Sequence, residues 1–499
     1  MSAPPPARSS VIIEVWIQIA PLAVAIGLLA AGRGALLAGA AGLFVTAAAA
    51  LATSPLGPEA LAGEAVRGAW LAWHAIAVMA AGMFFQRSLE PMRATPPASA
   101  GNNGSTDRPG GFDYRSAYSA CFLVGPFTES ATGFGVGYVI ALSLLLRMGV
   151  PALAAAVLGL FSQILVPWGA LAVGTRIGAH LTGLPEESLS AGSALLTVPL
   201  LFGHLATFWW LLRRFSLPVP RRAAVEDVAW TAAMAALLFL TARIAAVEIV
   251  VIATLGPLLA LRYLRDARPT RSRLIDDIRA NLGYVALTAA LLATRLIPGL
   301  DAALWSGPVL RPFEGELPFP VLMNPSFWLL LVPLVLLLVQ GRPGRILPAL
   351  KATARFAWKP SLVTLFFVVM ARLFAGSGMA GNLATSLHGA VGTFAVVATP
   401  SFAGLAGFLT GSNTGSNGLM MPIQAALAAR VAVDAVLMAA VQNTIGSAFT
   451  MLSPIRISLG CALVASPGLE GEVYRQGAVI GGMVLTIGTA LVALVLALG

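Results

Sequence analysis

The sequence predicts an all-α protein that crosses a membrane many times, with about 12 transmembrane helices. Of its 499 residues, 58% are hydrophobic and 10% are charged, whereas about 25% of the residues of an ordinary soluble domain are charged. Apolar runs that approach the roughly 20 residues needed to span a bilayer recur from Val11 to the C-terminus. In lipid such runs satisfy their backbone hydrogen bonds as helices and not as the alternating strands of a barrel.

The individual spans follow from the apolar runs between charged or Pro/Gly-rich breaks. They are predicted near 11–32, 34–53, 67–86, 150–178, 191–212, 228–243, 246–262, 282–298, 326–340, 361–376, 432–455 and 477–498. The close pair at 228–243 and 246–262 must cross the membrane outward and return, because arginine-rich loops flank it on both sides. The stretch 377–400 has two interpretations, since it either crosses the membrane or lies along its interface.

The net charge of +10 is concentrated in short loops. Such loops are typical of the cytoplasmic side, because positive residues resist translocation. The loop 299–320, which is poor in positive charge, then lies outside. The charge therefore indicates membrane orientation, and no nucleic-acid partner is expected. The residues are Arg213, Arg214, Arg221, Arg222, Arg262, Arg265, Arg268, Arg271, Arg273, Arg342, Arg345, Lys351, Arg355 and Lys359.

Two segments, 117–147 and 401–429, are long enough to enter the membrane but are interrupted by small polar residues. Residues 128–133 and 410–415 share the pattern Thr-x-Ser-x-Thr-Gly without a gap. Breaks of this kind are tolerated at membrane depth only where they are buried in protein or line a cavity. We therefore predict two re-entrant helical hairpins with their tips at these clusters.

The order of features suggests an inverted repeat. Each hairpin is followed by a span with polar breaks, at Ser162-Gln163 and 167–169 in the first half and at 442–444 and Ser453-Pro454 in the second. We predict a first repeat at 1–222, a linker helix pair at 223–280 and a second repeat at 281–499. If each hairpin returns to its own side, the hairpins enter from opposite faces, as in many secondary transporters. The inversion fails if 377–400 crosses.

The hairpin tips are the predicted substrate site. Helix ends expose N–H groups that favour a small anion, and hydroxyl and amide groups add neutral hydrogen bonds. The alternative is that these small residues only allow close helix packing; two matching clusters favour the site. The predicted substrate ligands are Ser130, Thr132, Gln163, Ser412, Asn413, Thr414 and Asn443.

Glu129 is the predicted proton carrier. An ionisable group within a membrane segment is costly and indicates function. Removing a carboxyl group from water favours its protonated form, so proton exchange at Glu129 would couple proton flow to anion uptake. The alternative is a structural hydrogen bond from the hairpin backbone to this carboxylate.

Several other classes of protein are excluded or disfavoured. The sequence has no Walker-type loop, no zinc-binding His-Glu-x-x-His and no dinucleotide fingerprint. Cys121 and Cys461 lie in apolar runs, which argues against disulfides and metal sites. We expect no enzyme activity, no metal and no cofactor. An intramembrane enzyme is the competing class, but it would need a nucleophile-base or metal constellation.

The motifs resemble those of the L-lactate permease family. Residues 125–135, GPFTESATGFG, resemble its Glu-x-Ala-Ala-Gly-Phe-Gly segment, and residues 408–417, FLTGSNTGSN, look like its second signature. Residues 442–444 and 452–454 fall where that family has an Asn/Ser-rich stretch and a Ser-Pro. Ser130, Thr132, Gln442 and Thr444 depart from the pattern, which would suit a more polar pocket.

The resemblance implies import of L-lactate, glycolate or a similar 2-hydroxy monocarboxylate by proton symport. It places the chain as a multi-pass protein of the bacterial inner (plasma) membrane, surrounded by lipid. Similarity to the wider ion-transporter superfamily implies elevator-type movement, often in homodimers. A sodium-coupled carrier and a carrier of dicarboxylates or other organic anions remain the alternatives within transport.

Overall fold

The computed structural model describes residues 8–93, 112–466 and 468–498, and these residues form 23 α-helices with a single two-stranded ribbon. In the ribbon, β1 (Val309–Leu310) pairs antiparallel with β2 (Phe319–Pro320). The predicted all-α, polytopic fold is confirmed. The helices of the first half are α1 (Arg8–Ala30), α2 (Ala35–Thr53), α3 (Pro58–Arg93), α4 (Tyr114–Tyr118), α5 (Gly125–Thr132), α6 (Val136–Arg147), α7 (Ala152–Gly159), α8 (Gly169–Thr182), α9 (Glu186–Arg214), α10 (Arg221–Ile244) and α11 (Val250–Ala267).

The second half begins with the short amphipathic helix α12, which has no buried residue. Its helices are α12 (Arg271–Ala280), α13 (Leu282–Leu296), α14 (Leu300–Trp305), α15 (Pro325–Val339), α16 (Ile346–Gly376), α17 (Met379–Val391), α18 (Phe394–Val397), α19 (Thr399–Thr410), α20 (Asn413–Val431), α21 (Ala435–Thr450), α22 (Pro454–Leu463) and α23 (Glu470–Leu498).

The number of long apolar helices is slightly below the predicted number of spans. In the described ranges, nine helices are long and apolar enough to cross a membrane, or up to eleven if two bent helix pairs each count as one span. The predicted spans at 282–298 and 326–340 form helices of 15 residues, α13 and α15. At 1.5 Å per residue each is about 22 Å long, less than the roughly 30 Å of the hydrocarbon core.

The first predicted hairpin consists of two helical arms joined by a tight turn. Its first arm runs from α4 through a π-helical stretch, Ser119–Val124, into α5. The chain then turns at residues 133–135, hereafter tip 1, where all three φ angles are positive. Glycine at the first and third of these positions adopts this conformation without the steric cost of a side chain. The second arm, α6, packs against α5.

The second predicted hairpin has the same form. Helix α19 ends at Gly411, whose φ is 62°, and α20 begins after Ser412, whose hydroxyl accepts a hydrogen bond from Gly415 N–H. Residues 411–412 are hereafter tip 2. Before this hairpin, α17 is only 13 residues long and the chain bends by 110° into the following helical segment. A helix of 13 residues is too short to cross a bilayer alone.

The spans predicted to be broken at polar residues are interrupted at Ser162-Gln163, at 167–169 and at Ser453-Pro454, whereas 442–444 lie inside the continuous helix α21, so the break predicted there is wrong. Between α7 and α8, two 3₁₀ turns accompany a bend of 62°. Residues 170–172, at the start of α8, are all left-handed, which strains residues other than glycine. In the second half, a turn separates α21 from α22, and the Ser453 hydroxyl caps α22.

Two sets of helix contacts position the site. Helix α3 packs along α15 and α16, and α2 packs on α16. Helix α20 packs on α8, α16 and α21, and α8 also contacts α3 and α5. These contacts bring both hairpin tips and the break before α8 to one place. The repeat boundaries at 222 and 280 stay predictions.

Candidate functional site

A small cavity of about 70 Å³ lies between the two hairpin tips, and we call it the tip cavity. The start of α8, with its left-handed residues, forms a third wall, and α22 contributes one cationic side chain. The lining residues are Glu129, Gly133 and Phe134 near tip 1; Val166, Gly169, Ala170, Val173 and Gly174 at the break; Gly411, Ser412, Asn413 and Thr414 near tip 2; and Ala75, Thr364, Thr450 and Arg456.

Arg456 carries the positive charge of the tip cavity. It lies in the first turn of α22, and its side chain is 10% exposed. Its Nη2 donates to Glu129 Oε1 at 3.4 Å, a long contact. Its Nε is buried and has no hydrogen-bond partner among the described residues. A guanidinium offers five N–H donors in a planar fork, so Arg456 retains donors for a carboxylate.

Glu129 is held by the backbone at tip 1. Its Oε1 accepts from Gly135 N–H and its Oε2 from Gly137 N–H, both at 3.0 Å. These N–H groups belong to the beginning of α6, where a negative charge also favours the helix dipole. The structural hydrogen bond considered above as an alternative role is therefore present, and an ion pair with Arg456 accompanies it. The role of Glu129 as proton carrier stays a prediction.

Ser130 and Thr132 do not reach the tip cavity. The Ser130 hydroxyl donates to Phe127 C=O at 2.8 Å, and the Thr132 hydroxyl donates to Thr128 C=O at 2.7 Å. Both side chains are buried and bonded within their own helix. Gln163 is also buried, and its amide donates to the Ser162 hydroxyl at 3.3 Å. Their role as substrate ligands stays a prediction that these contacts do not support.

The second tip presents its polar groups differently. Ser412, Asn413 and Thr414 all line the tip cavity. The Thr414 hydroxyl has no hydrogen bond to another described residue, so it is available to a ligand. The amide oxygens of Asn413 and Asn417 are buried without a partner in the described chain. Three of the seven predicted ligands thus meet at the cavity, all from the second half.

Asn443 joins the second hairpin to the first-half helices. Its Oδ1 accepts from the amides of Asn413 and Asn417 at 3.0 and 2.9 Å. Its Nδ2 donates to the hydroxyls of Thr175 and Ser193, both at 2.9 Å. Buried polar groups whose hydrogen bonds are all satisfied hold the surrounding side chains in one arrangement. Asn443 therefore orients the residues next to tip 2, but it does not itself line the cavity.

The described residues contain no group of three or more His, Cys, Asp or Glu side chains that could hold a metal. What the tip cavity offers is a buried cation with spare donors, the amide group of Asn413, whose oxygen has no partner among the described residues, and the free hydroxyl of Thr414. This chemistry suits binding of a small hydroxylated anion and supplies no nucleophile-base pair.

Comparison with known proteins supports the family resemblance, and the matching family model covers tip 2. The L-lactate permease family model matches residues 310–498, which include tip 2, Asn443 and Arg456. The L-lactate permease of Salmonella typhimurium (strain LT2) is 26% identical over 413 residues, which cover 71% of this chain and 73% of that protein. The chain is similar to the L-lactate permease family over residues 310–498, and to this L-lactate permease over most of its length. The L-lactate permease of Escherichia coli (strain K12) shows the same identity over 409 residues.

A further member of the comparison is the glycolate permease GlcA of Escherichia coli (strain K12). It is 35% identical over 99 residues, which cover 20% of this chain and 18% of that protein. These relatives are permeases, and the long apolar helices of this chain agree with a membrane protein of that kind.

Arg456 is the residue that sequence reasoning missed. It follows the Ser453-Pro454 break by two positions, so an arginine beside a polar break within an apolar run was the available signal. Nothing in the sequence indicated that residues 169–174 form a wall of the cavity. Their side chains are apolar or absent, and it is the backbone conformation that places them there.

Proposed function

We propose that this protein imports L-lactate or a related small 2-hydroxy monocarboxylate, such as glycolate, by proton symport across the inner membrane of a bacterium. The names of its relatives, L-lactate permease and glycolate permease, support this substrate class. The observation that carries the proposal is Arg456, a buried cation with unpaired donors in the cavity between the tips.

The chemistry of the tip cavity fits a hydroxy monocarboxylate. The Arg456 guanidinium binds the carboxylate, and the hydroxyls of Ser412 and Thr414 are the hydrogen-bond partners nearest to a 2-hydroxyl group. One arginine opposed by one glutamate provides charge for a single carboxylate. A second carboxylate would face Glu129 without a cation of its own, which argues against dicarboxylates.

The transport movement is proposed to be of the elevator type. The moving unit comprises the segments 117–178 and 401–455, together with the end of α8, which carries His180, and α22, which carries Arg456. The remaining spans form a scaffold. Two hairpins that meet at a broken helix support an inverted repeat. The 13-residue length of α17 supports it further, since the inversion requires that 377–400 does not cross.

Transport by purified protein in proteoliposomes tests the proposal. Labelled L-lactate should accumulate when the outside is more acidic than the inside, and a proton ionophore should abolish the accumulation. Unlabelled glycolate should compete, whereas acetate, which lacks the 2-hydroxyl, should compete more weakly. Failure to bind or exchange any 2-hydroxy acid would contradict the proposal.

Sodium coupling is the second candidate, because of the orphan oxygens of Asn413 and Asn417. Amide oxygens are ligands for hard cations. Replacement of sodium by choline at a fixed pH gradient separates the two candidates. Uptake that falls without sodium and persists after the pH gradient collapses would favour the sodium-coupled carrier.

A further inference from the structure

A second charge cluster lies away from the tip cavity, around Glu316 in the loop that carries β1 and β2. The Glu316 side chain is only 2% exposed. Its Oε2 lies 2.6 Å from His180 Nε2, and its Oε1 accepts from Arg372 Nη2 at 2.6 Å. A carboxylate this deeply buried in two charge-assisted contacts joins three separate parts of the chain. We call His180, Glu316 and Arg372 the Glu316 cluster.

The Glu316 cluster lies at the boundary between the proposed moving unit and the scaffold. His180 is on α8, whose beginning lines the tip cavity, and it lies six residues beyond Gly174. Arg372 is on α16, which packs along α3. The loop itself is fixed to α3, because the Trp70 indole N–H donates to Leu317 C=O at 2.9 Å. Displacement of α8 against α3 and α16 must therefore separate His180 from Glu316.

The other ionisable groups around this pair come from every neighbouring element. From α3, Glu64 lies 2.8 Å from Arg372, and the His74 ring contacts the backbone at Trp70 and Pro318. One turn before His180, Arg176 pairs with Glu186 at the start of α9 and with Glu248 near the start of α11. Arg295 of α13 also approaches Glu248. Of these groups, the arginines and carboxylates are paired with opposite charges, and the His74 ring nitrogens lie against backbone carbonyl groups.

A cavity of about 320 Å³ lies beside this region, lined in part by the charged residues Arg176, Glu186, Glu248 and Arg295. Leu317 and Pro318, which follow Glu316 in the chain, form another wall. This cavity shares no lining residue with the tip cavity. In the proposed scheme the external proton therefore approaches the Glu316 cluster from this side, apart from the substrate site.

We infer that the proton that accompanies the substrate is carried by the His180–Glu316 pair. The inference rests on the proposed proton symport and names its coupling group. Histidine titrates near pH 6.5 in the ordinary case, within the range that a proton-driven importer uses. The Glu316 carboxylate lies 2.6 Å from the imidazole, so a protonated His180 has a hydrogen-bond acceptor in the closed pair. The closed pair accepts a proton from outside, and separation of the pair releases that proton inside.

Glu129 is less suited to this role because both of its carboxylate oxygens already accept hydrogen bonds. Its partners Gly135 N–H, Gly137 N–H and Arg456 are all donors, and a carboxyl oxygen that gains a proton loses part of its capacity to accept from them. The His180 ring, in contrast, has one acidic partner, which its movement with α8 can remove.

The test compares exchange with accumulation in proteoliposomes. Exchange of labelled for unlabelled L-lactate needs no proton release, whereas accumulation on a pH gradient does. In His180→Gln, exchange should continue and become insensitive to pH between about 5.5 and 7.5, while accumulation should fall roughly tenfold or more. Glu316→Gln should show the same split. His388→Gln is the matched control, since His388 has no acidic partner among the described residues, and it should behave as wild type.

Three results would overturn the inference. The first is wild-type accumulation and proton influx in His180→Gln. The second is loss of both exchange and accumulation in folded His180→Gln and Glu316→Gln proteins, which would make the pair structural. The third is uncoupling by Glu129→Gln alone with exchange retained. A wild-type protein that neither binds nor exchanges a 2-hydroxy acid would instead overturn the proposed function.

Discussion

Arg456 and Glu129 form an ion pair, and the two side chains have different structural roles. Glu129 is committed to the backbone of α6 through two N–H groups, and Arg456 touches it by one long contact. The glutamate therefore keeps the arginine in position without using all of its donors. A substrate carboxylate can bind Arg456 while Glu129 remains bonded to tip 1.

Replacement of Arg456 by glutamine should weaken binding of L-lactate at least about tenfold. A hydrogen bond to a charged group is worth about 1.5–3 kcal/mol, and 1.4 kcal/mol corresponds to a factor of ten. The measurement is the dependence of the thermal unfolding midpoint on L-lactate concentration. Arg430→Gln, at an exposed position near the end of α20, is the control and should bind as wild type. Equal affinity in Arg456→Gln would remove this residue from the site.

At the residue scale, the sequence predicted the polar tips better than their individual contacts. Ser412, Asn413 and Thr414 line the cavity, as expected from residues at a helix beginning. Ser130 and Thr132 share the same motif but are bonded within α5, because hydroxyls on a helix readily donate to the carbonyl three or four residues earlier. Whether a serine hydroxyl bonds within its own helix or faces the cavity depends on its tertiary neighbours, which the spacing of residues in the sequence does not reveal.

The two arms of the second hairpin depend on a close backbone approach to α21. A Cβ atom added to Gly407 of α19 would lie 1.8 Å from Gly446 C=O, which no side-chain rotation relieves. Helices that approach this closely in a membrane do so through small residues. The second hairpin is therefore positioned by backbone contact with α21. The first also has a close backbone contact, at Gly137 and Gly125, and its first arm is held in addition by Phe122, which stacks on Phe161 and packs edge-on against Phe208.

Gly407→Ala should lower the unfolding midpoint and reduce uptake, because overpacking a tight contact costs about 1–3 kcal/mol. Gly381→Ala is the matched control. Gly381 lies in α17 with open space at its Cβ position, so alanine should leave stability unchanged or raise it by about 0.5–1 kcal/mol. Thermal unfolding in detergent distinguishes them, and equal midpoints for the two variants would contradict the close contact.

At the element scale, the sequence predicted the hairpins and broken spans because glycine and polar clusters within apolar runs are strong local signals. It placed 282–298 and 326–340 within two residues of α13 and α15, but it counted both as full spans on apolar character alone, although a helix of 15 residues is shorter than the hydrocarbon core. Helix α13 ends at Leu296, before Pro298, and α15 ends at Val339, before the glycine of residue 341. The π-helical stretch before Pro126 had no signal in the hydrophobic pattern.

For the whole molecule, the arginine-rich loops predict its orientation. Ser272, between Arg271 and Arg273, should be cytoplasmic, and Glu314, in the loop that carries the Glu316 cluster, should be external. Both positions are exposed. In intact cells, an impermeant maleimide should label Glu314→Cys, whereas Ser272→Cys should react only after permeabilisation. The native Cys121 and Cys461 are buried and provide a low background. The reverse pattern would invert the orientation.

The pairing of Glu129 with Arg456 also bears on the voltage dependence of transport, because it fixes the net charge of the tip cavity. The empty tip cavity contains one positive and one negative side chain, so it contributes no net charge when it returns unloaded. A monoanion together with one proton adds no net charge to the moving unit either. Each elementary charge moved through 100 mV is worth about 2.3 kcal/mol, and at this site neither half of the cycle moves one. The difference in pH, and not the electrical potential, would then supply the energy for uptake.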